Sequence, residues 1–177
     1  KKLGYLPSVY DNCVYFNATK DVRICIHVDD VQIVAAKEKD ANELKQHIKD
    51  LFQIKDLGSI TNYLSMNVTS DSKVMRLHQQ PMINELAAEL KITDLKTPNS
   101  PAPSNSIKSQ SDEPCDSTKY RSLVGKLTYL STHSRPDISL CLMLLSRKSQ
   151  SPTMGDYNNL LQIAAYLNGT STYGPAY

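Results

Sequence analysis

Two adjacent acids, Asp29 and Asp30, are the residues of this chain whose types and spacing point most directly to chemistry. They lie between two apolar runs, Val22 to Ile26 and Val31 to Ala36, which predicts a β-hairpin with both acids at its tip. Side chains on a strand alternate between faces, so neighbouring carboxylates converge on one ion only where a tight turn re-aims them. Two hard oxygen ligands suit Mg²⁺, and a metal pair assists phosphoryl or nucleotidyl transfer when a further carboxylate joins. An Asp-Asp pair alone equally fits a solvated turn.

The segments around this pair predict an antiparallel β region with packed helices. Extended structure is expected from Tyr10 to Asn17 and again from Val22 to His27. After the hairpin, an amphipathic helix begins near Lys37, with its apolar positions at helical spacing. A second hairpin should flank the turn Ser70-Asp71-Ser72, and Pro81 begins another helix. The apolar positions of the amphipathic helix are Ala41, Leu44, Ile48, Leu51 and Phe52.

A change in composition divides the chain near its middle. Residues 96–111 are rich in Pro, Ser and Asn, and such a segment buries too little apolar surface to order as a compact element. Three helical patterns follow, with start signals in Asp116-Ser117, Arg135-Pro136-Asp137 and Ser151-Pro152-Thr153. The sequence therefore predicts an α+β region over residues 1–95, a linker over 96–115 and a small three-helix bundle over 116–177.

Length and composition restrict the class of protein. The chain has 177 residues, of which 40% are hydrophobic and 21% charged, with a formal net charge of +2. This composition is globular, and the charge is too small to predict polyanion binding by itself. The four cysteines form no CxxC pair, which predicts that they are reduced thiols. Reduced thiols favour an intracellular protein, of the nucleus or the cytoplasm. No apolar run approaches the roughly 20 residues that span a bilayer, so no membrane partner is expected.

An ordered set of short motifs includes the hairpin acids and extends to residues near both ends of the chain. Its segments are Asp11, Cys13, Phe16, Val28-Asp29-Asp30, Asp56-Leu57-Gly58, Tyr63-Leu64, Tyr120-Arg121-Ser122-Leu123-Val124-Gly125, Arg135-Pro136-Asp137-Ile138, Leu145-Ser146-Arg147 and Tyr166-Leu167-Asn168-Gly169-Thr170. In this order, the set closely resembles the reverse transcriptase of copia-type LTR retrotransposons over nearly the whole chain.

The resemblance implies the carboxyl half of a palm followed by a thumb or connection region, ending before the RNase H region. Asp29 and Asp30 match the two metal-binding aspartates of the family motif. In members of the family, a third metal-binding aspartate and the fingers lie upstream of the region that this chain matches. Without them the two-metal clamp is incomplete and nothing preorganises the nucleotide. The chain alone is therefore expected to be inactive and to hold no cofactor.

Two further departures from the family pattern concern binding. The residue before Val28 is His27 where the family has an aromatic, and Ser65 replaces a glycine of the primer-grip segment. A Cβ there hinders the close approach of a ligand, although ordinary drift explains both changes equally well. The last helix is apolar where the family carries basic residues, which predicts weak or no nucleic-acid binding and a surface for protein contact. The affected positions are Leu161, Gln162, Ala164, Ala165, Tyr166, Leu167 and Asn168.

A small set of basic residues offers the best candidates for nucleic-acid contact. Arg135 also has a structural interpretation, pairing with a helix start or with Asp137, which is favoured over nucleic-acid contact. Mixed charges on the helix after Lys37 are typical of a solvated face. The candidates are Arg121, Lys126, Arg135, Arg147 and Lys148.

Three hypotheses for function follow. The leading one is a catalytically inactive, co-opted reverse transcriptase-like chain that binds a protein partner or forms a homodimer through an uncovered palm sheet and the apolar last helix. The alternative is a fragment of an active RNA-directed DNA polymerase, with Mg²⁺ held by Asp29, Asp30 and an acid from elsewhere. The third is a nucleic-acid-binding module without chemistry.

Overall fold

The chain combines antiparallel sheets with helices, as expected for the α+β class. The computed structural model describes residues 3–71, 73–102 and 111–177. It divides into two compact units, Lys1–Gly58 and Ser59–Tyr177. The domain division predicted from composition stays a prediction, and residues 103–110 of the predicted linker lie outside the described residues.

The first unit is a four-stranded antiparallel sheet with one helix. The strands are hydrogen-bonded in chain order, and the turns between them are short. The elements are β1 (Leu6–Pro7), β2 (Val14–Asn17), β3 (Val22–His27), β4 (Asp30–Ala35) and α1 (Glu38–Leu51). The predicted strand from Val22 to His27 and the helix after Lys37 are confirmed.

The core of the first unit is small. Val22 and Ile24 are two positions apart on β3, so their side chains lie on the same face of the sheet. Both are buried with Leu44 of α1. Ile48 is partly buried against them. The sequence also placed Leu51 and Phe52 on the covered face of the helix, and this was wrong, because the surface that α1 covers ends near Ile48 and both later side chains are exposed.

The second unit begins with a three-stranded antiparallel sheet and continues into helices. Its strands are β5 (Asn62–Tyr63), β6 (Met66–Ser70) and β7 (Met75–His78). The last residues of the chain extend this sheet, since Tyr177 and Met75 exchange backbone hydrogen bonds at 2.8 and 2.9 Å. The helical elements are α2 (Gln80–Glu89), α3 (Ser117–His133), a 3-10 turn (Pro136–Ile138), α4 (Ser139–Ser146) and α5 (Met154–Gly169).

The helices of the second unit enclose an extensive apolar core. Helix α2 takes part through Ile83 and Leu86, together with residues of α3, α4 and α5. Full burial of each leucine or isoleucine contributes about 1.5–3 kcal/mol. Tyr120 is also fully buried, and its hydroxyl donates to the carbonyl of Leu145 at 2.8 Å. The core residues are Ile83, Leu86, Tyr120, Leu123, Leu127, Leu130, Ile138, Leu142, Leu145, Leu160, Ile163 and Leu167.

Side chains cap α3 and α5 at two of the three predicted helix starts, whereas the 3-10 turn at Pro136 and α4 have no side-chain cap. Asp116 accepts from the backbone N–H groups of Thr118 and Lys119 at the start of α3. At the start of α5, Thr153 and Asp156 form a reciprocal capping box. Such caps satisfy backbone N–H groups that have no partner within the helix.

The last helix differs from its predicted role. The apolar residues at the carboxyl end of α5 were expected to form an exposed surface for protein contact, but Ala164, Ala165 and Leu167 are buried. They pack on α2 and the residues that follow it, including Ile92. In residues 3–71, 73–102 and 111–177, no helix combines the length and hydropathy needed to cross a bilayer.

Candidate functional site

The Asp-Asp pair lies at the tip of a tight hairpin. His27 pairs with Asp30, so Val28 and Asp29 form a two-residue loop between β3 and β4. The predicted hairpin is confirmed. Val28 has φ +53°, a left-handed conformation that is strained for a β-branched residue. The turn thus places Asp29 in the loop and Asp30 at the first position of β4.

The carboxylates of Asp29 and Asp30 are both exposed to solvent. No side-chain hydrogen bond or salt bridge from Asp29 or Asp30 is seen within the described ranges. In the same ranges, no group of three or more His, Cys, Asp or Glu side chains is placed to hold a metal ion. The hairpin therefore offers two ligands that Mg²⁺ accepts, and a complete two-metal site requires more. The metal role of the pair stays a prediction.

Strand β4 forms an edge of its sheet. Among the described strands it pairs only with β3, which leaves its other side without a strand partner. Its sequence, DVQIVA, contains neither Lys nor Pro, the residues that commonly protect sheet edges. Val31 and Val34 are 45% and 56% exposed. An edge of this kind can accept a strand from another chain segment.

One face of the same sheet is partly apolar and open. The register aligns Leu6, Phe16, Arg23 and Val34 across the four strands. Leu6, Phe16 and Val34 are all exposed. The opposite face carries Val22 and Ile24 and is covered by α1. The side of this sheet that faces away from α1 therefore carries exposed apolar side chains.

Arg135 is integrated into the interior of the second unit. It is only 1% exposed, and its guanidinium binds both carboxylate oxygens of Asp137, at 3.0 and 2.7 Å. It also donates to the carbonyl and hydroxyl oxygens of Thr170 and lies 5.2 Å from the ring centre of Tyr166. This geometry supports the structural interpretation of Arg135, because a phosphate has no access to a guanidinium held in this way.

The remaining basic candidates differ in availability. Lys126 pairs with Glu89, and Arg121 donates to the carbonyl of Ser149 at 3.0 Å. Arg147 and Lys148 are exposed just after α4. The structure thus brings no dense basic surface together from the five candidates, and their role in nucleic-acid binding stays a prediction.

The position where a glycine was expected carries a strained serine. Tyr63 pairs with Met66, so Leu64 and Ser65 form the turn between β5 and β6. Both have left-handed φ angles, +47° and +64°, as a type I′ turn requires. Glycine adopts this conformation without a steric penalty, so Ser65 adds both strain and a side chain at the turn.

Sequence reasoning did not select Arg76 and His78, which line a groove in the second unit together with Tyr173. Nearly a hundred residues separate the first two from the third. No local pattern signals such a groove, because it exists only once the end of the chain pairs with β7.

Comparison with known proteins agrees with the motif order. The family model for reverse transcriptase (RNA-dependent DNA polymerase) matches residues 1–103. A putative transposon Ty5-1 protein of Saccharomyces cerevisiae is 30% identical over 175 residues, which cover 96% of this chain and 57% of that protein. An uncharacterized mitochondrial protein of Arabidopsis thaliana is 28% identical over 153 residues, which cover 85% of this chain and 63% of that protein.

One part of a longer relative is similar to nearly all of this chain. The retrovirus-related Pol polyprotein from transposon RE1 of Arabidopsis thaliana is 28% identical over 177 residues, which cover 97% of this chain and 12% of the polyprotein. The chain thus spans only part of each of these relatives. No solved structure matches it. The family match and the relatives together show that this chain belongs to the reverse transcriptase family, as a region of the copia type found in retrotransposons.

Proposed function

We propose that this polypeptide is a partial reverse transcriptase palm with a thumb-like three-helix bundle, that it does not synthesise DNA by itself, and that it acts by binding protein through the β4 edge. The observation that carries the proposal is the Asp-Asp hairpin, which presents two free carboxylates on a strand whose outer side has no partner among the described strands. The same element is both incomplete as a metal site and open to another chain segment.

Inactivity of the isolated polypeptide follows from the number of ligands. If Mg²⁺ binds, Asp29 and Asp30 are the residues that hold it, and the ion would supply charge stabilisation for nucleotidyl transfer. Two carboxylates on a solvent-exposed hairpin leave most of the coordination sphere to water. The described residues add no third acid near the pair, so the attacking and leaving oxygens are not clamped in line.

Protein binding follows from the edge and the open face next to it. An added strand would satisfy the outer backbone groups of β4 and cover the exposed side chain of Val34. Addition of a strand in either direction also buries apolar surface. Each Å² of apolar surface that is buried contributes about 25 cal/mol of favourable free energy. Both a second copy of the chain and another protein fit this description.

The catalytic part is tested by primer extension with the purified 177-residue chain, an RNA template, a DNA primer and Mg²⁺. We expect no template-directed extension from the wild type or from Asp29→Asn. Extension by the wild type that disappears in Asp29→Asn contradicts the proposal.

The binding part is tested by sedimentation velocity over a wide concentration range, with and without Val34→Lys. A lysine on an edge strand opposes strand addition, so we expect association to weaken in this variant. Val9→Lys is the matched control, because Val9 is 91% exposed and lies outside the strands. A wild type that is monomeric at every concentration and retains no partner in pull-downs refutes the binding part.

The second candidate is a portion of an active RNA-directed DNA polymerase. The free state of both hairpin carboxylates favours it, since neither is occupied by an ion pair within the described ranges. In that case another segment, in the same polypeptide or in a second chain, supplies the missing acid. Primer extension by a longer gene product that contains this sequence, abolished by Asp29→Asn, would establish this candidate.

Nucleic-acid binding without chemistry is less well supported. Phosphate contacts by several cations supply most nonspecific affinity, yet Arg135 is buried and Lys126 is paired. We therefore propose weak or no nucleic-acid binding. Retention on RNA or DNA that falls steeply with salt contradicts this.

An intracellular location, in the nucleus or the cytoplasm, is also part of the proposal. The four cysteines are free thiols, which fits this location.

A further inference from the structure

A groove with several polar side chains in its lining lies in the second unit. It has a volume of about 850 Å³ and is formed by the sheet β5 to β7, the start of α2 and residues 172–174. This volume falls within the range of sites that hold small molecules. The groove is thus large enough for a ligand of nucleotide or sugar-phosphate size.

Backbone contacts fix one wall of the groove. The N–H of Leu77 donates to the carbonyl of Pro175 at 3.1 Å, next to the pairing of Met75 with Tyr177. Gly174 approaches the backbone so closely that an added Cβ would lie 1.8 Å from the carbonyl oxygen of Leu77. Only glycine fits this contact, which holds Thr172 and Tyr173 at the rim.

Two nitrogen-bearing side chains of β7 line the groove. Arg76 is exposed and forms no salt bridge among the described residues. His78 is 5% exposed, and its Nδ1 accepts from the backbone N–H of Gln80 at 3.4 Å. In the tautomer that accepts at Nδ1, the ring proton is on Nε2. No hydrogen bond from Nε2 is seen among the described residues, and His78 is one of the residues that line the groove.

The start of α2 adds a further favourable field for an anion. Gln80, the first residue of this ten-residue helix, lines the groove. The N-cap residue Gln79 makes no side-chain cap, and the first turn contains no acid. Apart from the long contact between His78 Nδ1 and the N–H of Gln80, no side chain among the described residues caps the helix start, and the positive end of a helix dipole attracts negative charge.

No acid occurs among the described residues that line the groove. The charge of Arg76 acts on one nearby acid, Asp71. The pKa of Asp71 is lowered mainly by the backbone N–H groups of Lys73 and Val74, and to a smaller degree by Arg76. Because that carboxylate accepts from both N–H groups, at 2.8 and 2.9 Å, it is held in the turn between β6 and β7. Neutral amide and hydroxyl side chains also line the groove, namely those of Thr61, Asn62, Asn67, Thr69, Gln80 and Thr172.

We infer that this groove binds a small ligand through one phosphate group, with Arg76 and His78 as its donors and the start of α2 as a supporting charge. A single guanidinium with a buried N–H donor suits one phosphate, whereas a nucleic-acid strand requires several cations along its backbone. Neutral amides and hydroxyls, together with the exposed ring of Tyr173, surround the remainder of the ligand.

The test is isothermal titration calorimetry of the full chain with inorganic phosphate, ribose 5-phosphate and adenosine monophosphate. Arg76→Gln removes the charge and should weaken binding about tenfold, the scale of one charge-assisted hydrogen bond. Thr172→Glu places a negative charge at the rim and should abolish binding, whereas the size-matched Thr172→Gln should retain it. Lys119→Gln is a control for net charge, since Lys119 lies on α3 outside the groove.

The three probes distinguish the source of the phosphate. Binding of inorganic phosphate alone identifies a free-anion site, and tighter binding of either ester identifies a ligand that also contacts the neutral lining; both support the inference. It is overturned if no probe binds, or if Thr172→Glu and Thr172→Gln bind equally. It is also overturned if a single-stranded RNA binds far more tightly than every small phosphate, with the salt dependence of several phosphate contacts.

Discussion

The two units of this protein use charged residues in opposite ways. In the first unit, Asp29 and Asp30 stand exposed on a strained hairpin with no ion pair within the described residues. In the second, the buried Arg135 binds the partly exposed carboxylate of Asp137 beside a helical core. The difference teaches that a charged residue in a family motif need not serve the same purpose everywhere, because burial and partners decide whether it binds a ligand or maintains the fold.

The same difference appears in the apolar residues. The first unit buries three residues of its core cluster and leaves an edge strand and part of a sheet face open. The second buries twelve in its main cluster. We therefore expect substitutions to affect stability far more in the second unit, and binding more in the first.

The strongest test of this contrast is Arg135→Met. It removes four hydrogen bonds that the buried guanidinium donates to Asp137 and Thr170. Because hydrogen bonds to a charged group contribute about 1.5–3 kcal/mol each, we expect a total loss of about 3 kcal/mol or more. Arg121→Met is the control, since Arg121 is exposed and should change stability by less than about 0.5 kcal/mol. Urea unfolding followed by circular dichroism measures both. Equal effects from the two variants argue against a structural role for Arg135.

A cavity in the helical core should have the next largest effect. Leu127 is fully buried, and Leu127→Ala is expected to lower the free energy of unfolding by about 3 kcal/mol. Val34→Ala on the open edge should change it by less than about 0.5 kcal/mol. The comparison is made by urea unfolding, and a cost at Val34 close to that at Leu127 would show that the edge is covered in solution.

Helix caps give a smaller, two-sided test. Thr153→Ala removes a capping box from α5 and should cost about 1 kcal/mol. Helix α1 has no side-chain cap, although its N-cap residue Lys37 has the extended backbone that a cap needs. Lys37→Ser should therefore stabilise the first unit by about 0.5 kcal/mol. Thermal unfolding monitored by residue-specific NMR separates the two units, and a loss of stability in Lys37→Ser would contradict the cap geometry.

The acid dependence of stability is the smallest expected effect. Burial raises the pKa of Asp137, but the hydrogen bonds and charge of Arg135 outweigh it and leave the pKa below its usual value. A lowered pKa in the folded state contributes stability above the unfolded value, about 3.9 for Asp. This contribution is lost as the pH falls through the folded pKa. Unfolding of wild type and Asp137→Asn between about pH 7 and pH 3 should show a steeper acid decline in the wild type.

Much of the local structure follows from short patterns. The run Val22 to His27, the acids after it and the caps at Asp116 and Thr153 each specify an element through alternation, turn preference or backbone capping. These effects act over a few residues, so a sequence shows them directly. The motif order likewise identified the family, which the comparisons confirm.

Other features depend on which distant segments meet. The apolar end of α5 looked like a binding surface, but Ala164 and Ala165 are buried against residues near Ile92. Apolar composition is the same for a core and for an interface, so it does not distinguish them. Leu51 and Phe52 show the reverse error, since helical spacing predicts a face without predicting how far the partner sheet extends.

The sequence by itself determined most of the helices and strands, the α+β class, the family and the position of the Asp-Asp hairpin, because each depends on residues that are neighbours in the chain or on their order. Tertiary structure alone decided that Arg135 is buried, that the end of α5 is core and that Arg76 and His78 meet residues 172–174 in one groove. Burial and electrostatic environment arise from segments far apart in sequence, and only the folded chain brings those segments together.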